Sequence, residues 1–401
     1  MGLMNIIATG LRIADPLVPD FILPSCRADE LIKMAEAHPD EAAREGLKQL
    51  LASIAAESDL VLFGKLALHW DVKRLLGNAQ LVADAHAANP ALARRPVEAP
   101  IFILGLPRSG TSYLHRLMTA DPENLVPRNW QTMFPAPRPK DFDPSKDKQA
   151  RAVDQQFALF SGLAPGFEDM HPVDADSPQE CSEITAHVFQ SLRFDTTHRV
   201  PSYFHWLETH GHDDALAYHK RFLQFLQQGL TGRWVLKCPD HTFTLDAILR
   251  AYPDARFVIV HRDPIAVLGS VAHLTAVLRM PFLKNIDQAE IGAQVASRWM
   301  QGANLLLEFD RRADVAVERK CHVHYDELTA APLAAIARIY AQFGLPEEET
   351  VFRAMERLVN EKPRGGYARH APYRLDSFKL NLPALQAAFA PYVTTYCQAR
   401  Q

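Results

Sequence analysis

The sequence is poor in the features that mark several large classes of protein. Its five cysteines (Cys26, Cys181, Cys238, Cys321 and Cys397) are few, odd in number and scattered over 401 residues. That excludes a disulfide framework and C-x-x-C metal clusters, and makes a reducing compartment the expectation. Basic excess is missing too. The 43 Lys and Arg stand against 47 Asp and Glu, a formal net charge of −4, so no nucleic acid partner is expected and any anion must be held in a local pocket. Nowhere do about 18 apolar residues run without a charge, so no stable membrane insertion is expected. The stretch Met1–Pro19 lacks the basic start and long apolar centre of a secretory signal, and Ile6 stands where myristoylation of Gly2 needs Ser or Thr. Together these absences make a cytoplasmic protein the expectation.

What the chain has is enough length to bury a large core, as one α/β domain with an appendage or as two smaller domains. From about Ala28 to His86 apolar residues recur at helical spacing among Ala, Glu and Lys, and Pro90 and Pro96 close the stretch. Residues 1–95 are therefore expected to form a helical N-terminal region. At Ile101 the texture changes. IFILGLP (Ile101–Pro107) is a short, continuous apolar run ending in Gly and Pro, and WVLKCP (Trp234–Pro239), RFVIVHRDP (Arg256–Pro264) and CHVHYDEL (Cys321–Leu328) are similar. Each precedes a helix-like segment, and strand then helix, repeated, predicts an α/β architecture over residues 96–401: a P-loop type three-layer fold with a mainly parallel sheet. The Pro- and charge-rich Phe134–Asp147 reads as a loop. Residues from about 150 to 232 read as a helical insertion, whose Phe157, Phe160, Phe189, Tyr203, Phe204 and Trp206 are expected mainly in the core. The same aromatics could line a hydrophobic alcohol or phenol pocket.

Gly105-Leu-Pro-Arg-Ser-Gly-Thr-Ser112 lies between the first strand and the helix-like TSYLHRLMTA, the context of a phosphate loop. Backbone N–H groups of Ser109, Gly110, Thr111 and Ser112 would meet an anion at a helix N-terminus, where unpaired donors and the helix dipole both favour negative charge. Gly110 is expected to let the ligand approach without a Cβ clash. The spacing G-x-x-x-x-G-x-S is that of nucleotide hydrolases, yet Thr111 stands in place of their Lys and the cation comes earlier, as Arg108. A γ-phosphate transferase needs that Lys and a magnesium ion; a sulfuryl donor carries less charge and can be handled by side-chain cations alone. The plain alternative is a tight strand-to-helix turn that binds nothing.

PRSGTS (Pro107–Ser112) resembles the 5′-phosphosulfate loop of the sulfotransferases that use 3′-phosphoadenosine 5′-phosphosulfate (PAPS), in which Lys or Arg follows Pro. Arg262 and Ser270, spaced R-D-P-x-x-x-x-x-S, are similar to that family's 3′-phosphate motif. An Arg at a strand's C-terminal end and a Ser on the next helix can converge on one phosphate at the ligand-binding edge of a sheet; taken alone, the pair reads equally as a surface Arg with Asp263 capping a helix. WVLKCPDH (Trp234–His241) resembles a strand end that supplies a second cation, here Lys237. The order of these motifs, with HPVDADSPQECSE and HYDEL, looks like a bacterial-type branch related to tyrosylprotein sulfotransferases and covers most of the chain after about residue 95. The resemblance implies PAPS as donor substrate, bound by Pro107, Arg108, Ser109, Gly110, Thr111, Ser112, Arg262 and Ser270. It further implies Arg108 and Lys237 as catalytic cations, no metal, and transfer to a hydroxyl or amine of a small-molecule acceptor, a hydrophobic one being an option.

The family pattern is broken at the base. Cytosolic members carry a catalytic His two residues after the second Lys, where this chain has Pro239; tyrosylprotein enzymes place a Glu about twenty residues past the loop, where it reads Pro127-Arg128-Asn129-Trp130-Gln131. Three candidates follow in order: Glu180 and His171, which flank the polar HPVDADSPQE, and His241. Each also has a structural reading, as a cap or ion pair for Glu180, a loop residue for His171 and a helix cap for His241. Arg364-Gly365-Gly366 is a fainter match to the 3′-phosphate loop of cytosolic members and is not counted among the site residues. Competing classes are a P-loop kinase or nucleotide hydrolase, opposed by the missing Lys and the Arg262/Ser270 pair, and a metal-dependent hydrolase. The latter would use His205, His210, His212 and Asp213, a cluster that also reads as a solvated helix end. A donor-binding protein without chemistry is the third.

Overall fold

A computed structural model describes residues 26–361 and 375–398; Met1–Pro19 and Arg364–Gly366 lie outside the described residues. The chain divides into two compact units, one formed by Val97–Val126, Thr231–Leu274 and Asp287–Gln401, the other by Met1–Pro96, Pro127–Leu230 and Thr275–Ile286.

The first unit is built on a sheet. Its described strands are β1 (Ile101–Gly105), β2 (Asn124–Leu125), β3 (Arg233–Lys237), β4 (Arg256–His261) and β5 (Lys320–His324), in the spatial order β2-β3-β1-β4-β5. All four pairings are parallel, with Ile103 opposite Lys237 and Gly105 opposite Val260. The four apolar runs of the sequence form β1, β3, β4 and β5, and β1 at the centre is buried at every residue, as a strand covered on both faces must be. Alternate residues serve the two faces. Ile101, Ile103, Val258, Val260 and Val323 pack with Leu114, Leu117, Ile336 and Ile339 of the helices Thr111–Met118 and Pro332–Phe343. On the other face Phe102 meets Phe257 and Tyr252, and Phe257 meets Phe309 of the helix Gln288–Asp310 edge-on at 4.8 Å. Helices on both faces give the three layers. β2 is two residues long, too short to print any periodicity on the sequence; a polar cluster fixes it, with Tyr340 donating to Asp121 at 2.7 Å and Asn124 donating to Tyr340 at 3.0 Å.

The second unit is helical in its described residues. Glu41–Glu57 starts at Asp40, whose carboxylate accepts from the Ala43 N–H, and Lys148–Leu163 starts in the same way at Asp147. The long helix Leu62–Ala88 carries Asp71 and Arg74, which form an ion-pair ring with Glu183 and Arg193: Arg74 lies 2.6 Å from Asp71 and 2.5 Å from Glu183, and Arg193 bonds both carboxylates. Burial raises the Asp71 carboxyl, but Arg193 and Arg74 outweigh it and hold the pKa at about 2. Buried ion pairs of this kind contribute little net stability while intact, yet breaking one leaves an uncompensated charge. Of the insertion's aromatics, Phe189 and Tyr203 are fully buried, whereas Phe157, Phe160, Phe204 and Trp206 are half-buried.

This unit also buries histidines. Burial pushes the rings of His187 and His219 down to about 3, and those of His198 and His212 down to about 4. Each binds fewer protons folded than unfolded, so its contribution to stability is fully present above the ordinary value of 6.5 and is lost as pH falls toward the folded value. The slope is up to about 1.4 kcal/mol per pH unit per histidine. Melting temperature should therefore be flat from pH 8 to 7 and fall between about pH 6.5 and 5. In His219→Gln the decline over that window should lessen by about one proton, and calorimetric melting across the pH series measures it.

Candidate active site

The C-terminal ends of β1, β3 and β4 carry the loop, Lys237 and Arg262 singled out in the sequence. The turn leaving β1 depends on its first glycine: Gly105 has φ +144°, and a Cβ there would lie 2.5 Å from the Val260 carbonyl oxygen. Three residues on, Arg108 takes φ +65°, a left-handed conformation uncommon for a residue with a side chain and a frequent companion of function. Ser109 faces inward, fully buried, with its N–H and its hydroxyl both donating to the Leu106 carbonyl at 3.3 and 2.6 Å. It braces the turn, so the expected row of four anion-facing N–H groups is shorter by one. Gly110 (φ +91°) caps the helix Thr111–Met118. The Thr111 and Ser112 N–H groups fall in its first turn, which lacks intrahelical acceptors. What a Cβ at Gly110 would meet is the Tyr325 ring, at 3.1 Å, so packing within the protein already requires glycine here.

Around this loop three cations are fixed by neighbours. Arg108 donates from Nε to the Ser270 hydroxyl at 3.1 Å, and Arg262 donates to the Arg108 carbonyl at 2.6 Å. The Arg262 guanidinium lies over the Tyr325 ring, 3.8 Å from its centroid. Lys237, 3% exposed at the end of β3, donates from Nζ to the Ser112 hydroxyl at 3.0 Å. Pro107 is half-buried and Ser112 exposed. Asp263 accepts from the Ile265 N–H at 2.8 Å, in the first turn of the helix Pro264–Arg279 that carries Ser270.

The three base candidates lie on different elements. His241 sits in the 3-10 turn Pro239–Phe243, 4% exposed, with its ring edge-on to Phe102 at 5.0 Å. Glu180 and His171 belong to the helical unit, both half-buried; Glu180 precedes the helix Cys181–Ala186, and His171 lies against Phe167 at 5.9 Å. The metal-hydrolase alternative finds no support: among the described residues no group of three or more His, Cys, Asp or Glu is arranged to hold a metal ion. His210 instead stacks on Trp206 at 4.7 Å and pairs with Asp214 at 3.5 Å.

Two features went unread in the sequence. Tyr325 stands within the quoted HYDEL, and only an aromatic at a strand's C-terminal end could have signalled it. The second is a chain of polar groups next to Arg262: Tyr392 to His261 at 2.8 Å, His261 to His322 at 2.8 Å, His322 to Asp310 at 3.1 Å and Tyr396 to Asp310 at 2.7 Å.

A parallel sheet whose central strand runs into an anion-type loop, flanked by Lys237 and the Arg262/Ser270 pair, defines a group-transfer enzyme of the P-loop kind. The family model described as Sulfotransferase family matches residues 100–349, and the chain belongs to that family: it is a transferase of the sulfuryl group. A relative in Mycobacterium bovis, the omega-hydroxy-beta-dihydromenaquinone-9 sulfotransferase Stf3, is 24% identical over 306 residues, 71% of each chain. Among solved structures, the sulfotransferase STF9 from Mycobacterium avium is 28% identical with a TM-score of 0.83, covering 93% of this chain and 97% of that one. STF1 from Mycobacterium tuberculosis H37Rv is also 28% identical, with a TM-score of 0.79 and coverage of 91% and 97%.

Because Gly105 combines a positive φ with a 2.5 Å approach to Val260, Gly105→Ala should lower stability by at least about 2 kcal/mol. Gly166→Ala, at φ +89° with open space around it, should cost about 1 kcal/mol. Equilibrium urea unfolding of the two variants compares them directly.

Proposed function

We propose that the donor is PAPS, with its 5′-phosphosulfate on Pro107–Ser112 and its 3′-phosphate on Arg262 and Ser270. The observation that carries this reading is the mutual engagement of the two motifs: Arg262 donates to the Arg108 carbonyl while the Arg108 side chain donates to Ser270. Residues far apart in sequence thus form one cationic edge, whose donors suit a nucleotide carrying phosphates at both ends. Thr111 and Ser112 offer N–H groups to the 5′ end, and Arg262 offers a planar fork suited to phosphate.

In this reading the acceptor oxygen attacks sulfur as the bond from sulfur to the 5′-phosphate oxygen breaks. The electron pair of that bond passes to the bridging oxygen, and adenosine 3′,5′-bisphosphate leaves. Lys237 and Arg108 hold the charge that builds on this oxygen, and a base takes the acceptor's proton. The proposed order of bases remains Glu180, His171, His241; burial of His241 against Phe102 supports placing it last. No metal has a part in these steps. For the acceptor, the half-buried Phe157, Phe160, Phe204 and Trp206 support a hydrophobic small molecule, and the mycobacterial relative is named for an omega-hydroxylated dihydromenaquinone. A cytoplasmic location is supported by five free cysteines; among the described residues no helix is long and apolar enough to cross a membrane.

Incubation with PAPS and a panel of apolar alcohols, phenols and amines should release adenosine 3′,5′-bisphosphate, and release with none of them would count against the reading. Lys237→Met keeps the buried volume but removes the charge, so kcat should fall by about tenfold to a thousandfold while bisphosphate affinity changes less. Wild-type turnover in that variant would remove Lys237 from the mechanism. For the base, Glu180→Gln, His171→Ala and His241→Ala should separate: the true base loses kcat in a pH-dependent way and still binds the bisphosphate.

A further inference from the structure

Next to Arg262 runs a chain of ionisable groups with no part in the donor site. Tyr392 donates to His261 Nδ1 at 2.8 Å, His261 Nε2 bonds His322 Nδ1 at 2.8 Å, and His322 Nε2 lies 3.1 Å from Asp310. Tyr396 donates to Asp310 at 2.7 Å and lays its ring on His261 at 3.9 Å. With both imidazoles neutral, each bond of the chain runs toward Asp310. The same chain has room for one more proton. Added at His322 Nδ1, it would be donated to His261 Nε2, and the hydrogen of His261 would move to Nδ1. His261 would then donate to the Tyr392 oxygen, whose own hydrogen turns away. Two hydrogen bonds reverse direction and none is broken.

The groups around the pair set the balance. Favouring the added proton are the Asp310 carboxylate and the face of the Tyr396 ring, since an aromatic face attracts a cation. Against it stand burial, Lys320 and His324 on β5, Arg311 directly after Asp310, and Arg262 directly after His261. The phenols of Tyr392 and Tyr396 stay protonated because burial pushes both up. At the end of the helix Leu382–Tyr396, burial and then Asp263 and Asp326 push the Cys397 thiol up to about 11, so it brings no charge. The opposing set prevails, and both imidazoles are held below the ordinary value, mainly by burial. Among the opposing charges, Arg262 is the one that a phosphate ligand would cancel.

We infer that a phosphate on Arg262 draws a proton from solvent onto the His261–His322 pair, so that the bisphosphate binds with proton uptake and more tightly as pH falls. The inference rests on the 3′-phosphate site proposed above and gives a use to side chains outside it. For unit charges about 10 Å apart at an effective dielectric of about 20, an imidazole pKa shifts by about one unit. Because the complex holds more protons than the free enzyme, affinity rises as pH falls through the pair's pKa in the complex. It levels off below the pair's pKa in the free enzyme.

Calorimetry of adenosine 3′,5′-bisphosphate binding, run from pH 8 to 5.5 in two buffers of different ionisation enthalpy, counts the protons taken up. The ligand's own phosphates titrate near pH 6, so the count is compared with that of His322→Gln. Glutamine offers an N–H to Asp310 and an oxygen to His261 but cannot take a proton. Wild type should take up about half a proton more than the variant between pH 6.5 and 5.5, and the same number at pH 8. Its affinity should gain up to about tenfold over the variant's across that range. With AMP, which has no 3′-phosphate, the difference should disappear. Asp310→Asn removes the carboxylate that compensates the added charge and should behave like His322→Gln, so a poorly folded glutamine variant does not end the test. Equal proton counts in wild type and either folded variant, or the same difference with AMP as with the bisphosphate, would overturn the inference. A wild type that binds the bisphosphate no better than AMP would instead overturn the donor assignment on which it rests.

Discussion

The hydrogen bond from Arg262 to the Arg108 carbonyl joins the end of β4 to the turn that leaves β1, and the geometry of the loop depends on it. A carbonyl at a left-handed residue points where a helical one would not, and here it points at a cation. The strain of a positive φ at Arg108 is a cost of about 1 kcal/mol or more, and a charge-assisted bond at 2.6 Å can offset it. Upstream, Gly105 makes the turn possible by approaching Val260 so closely that no Cβ fits. Because Val260 belongs to β4 and is paired with Gly105, the sheet register that admits the turn is the same register that delivers Arg262 to it. Fold and loop are thus one constraint.

The strand carrying Arg262 is held from its other flank by the chain of polar groups through His261. A carboxylate can only accept, so His322 presents Nε2–H to Asp310, and its Nδ1 is left to accept from the Nε2–H of His261. His261 Nδ1 then accepts from the Tyr392 hydroxyl. In this arrangement both rings are neutral, and burial, with the neighbouring His322 and His324, keeps the His261 pKa well below its ordinary value. The helix Leu382–Tyr396 is thereby tied to β4 through Tyr392 and to Asp310 through Tyr396, with Tyr396 also stacked on His261 at 3.9 Å. A chain of hydrogen bonds that runs from Tyr392 through both rings to Asp310 restrains the strand end, and Arg262 begins where that strand stops.

How much of this could be read from the chain depends on how local each signal is. β1 was legible because a strand covered on both faces leaves an uninterrupted apolar run, and the loop because Gly105, Arg108 and Gly110 act within eight residues. Arg262 was legible as a strand end, through the rule that ligands gather at the C-terminal edge of a parallel sheet, and Lys237 only through the resemblance of WVLKCPDH to a strand end of the family. Tyr325 was not, since its meaning depends on the β4–β5 register and on a glycine 215 positions earlier. Ser109 looked like an anion donor because the sequence does not show that Leu106 takes both its N–H and its hydroxyl. The polar segment before Cys181 drew attention to Glu180, yet the carboxylate buried among arginines is Glu183, one helical turn on. Clustering of polar residues marks a place where charge is handled and does not say whether it is handled for chemistry or for packing.

Strand order decides how the cations divide their work. β3 and β4 lie on opposite sides of β1, so Lys237 and Arg262 approach the loop from opposite flanks, one meeting Ser112 at the start of the helix and the other meeting Arg108 in the turn. A nucleotide hydrolase concentrates its loop Lys and its metal on the terminal phosphates of one chain of phosphates. Here Thr111 occupies that Lys position, and the positive charge is spread between two strand ends and the loop. Such a spread suits a ligand with two separate anionic ends better than one with a single polyphosphate tail. The choice of side chains follows the same division. In the proposed reading lysine, a compact point charge on the β3 flank, tracks an oxygen whose charge grows during reaction, whereas arginine on the β4 flank, planar and braced by a ring, holds a phosphate that does not change. On the same proposed reading the missing loop lysine is the sequence trace of a different distribution of charge on the donor, written into which neighbours β1 has in the sheet.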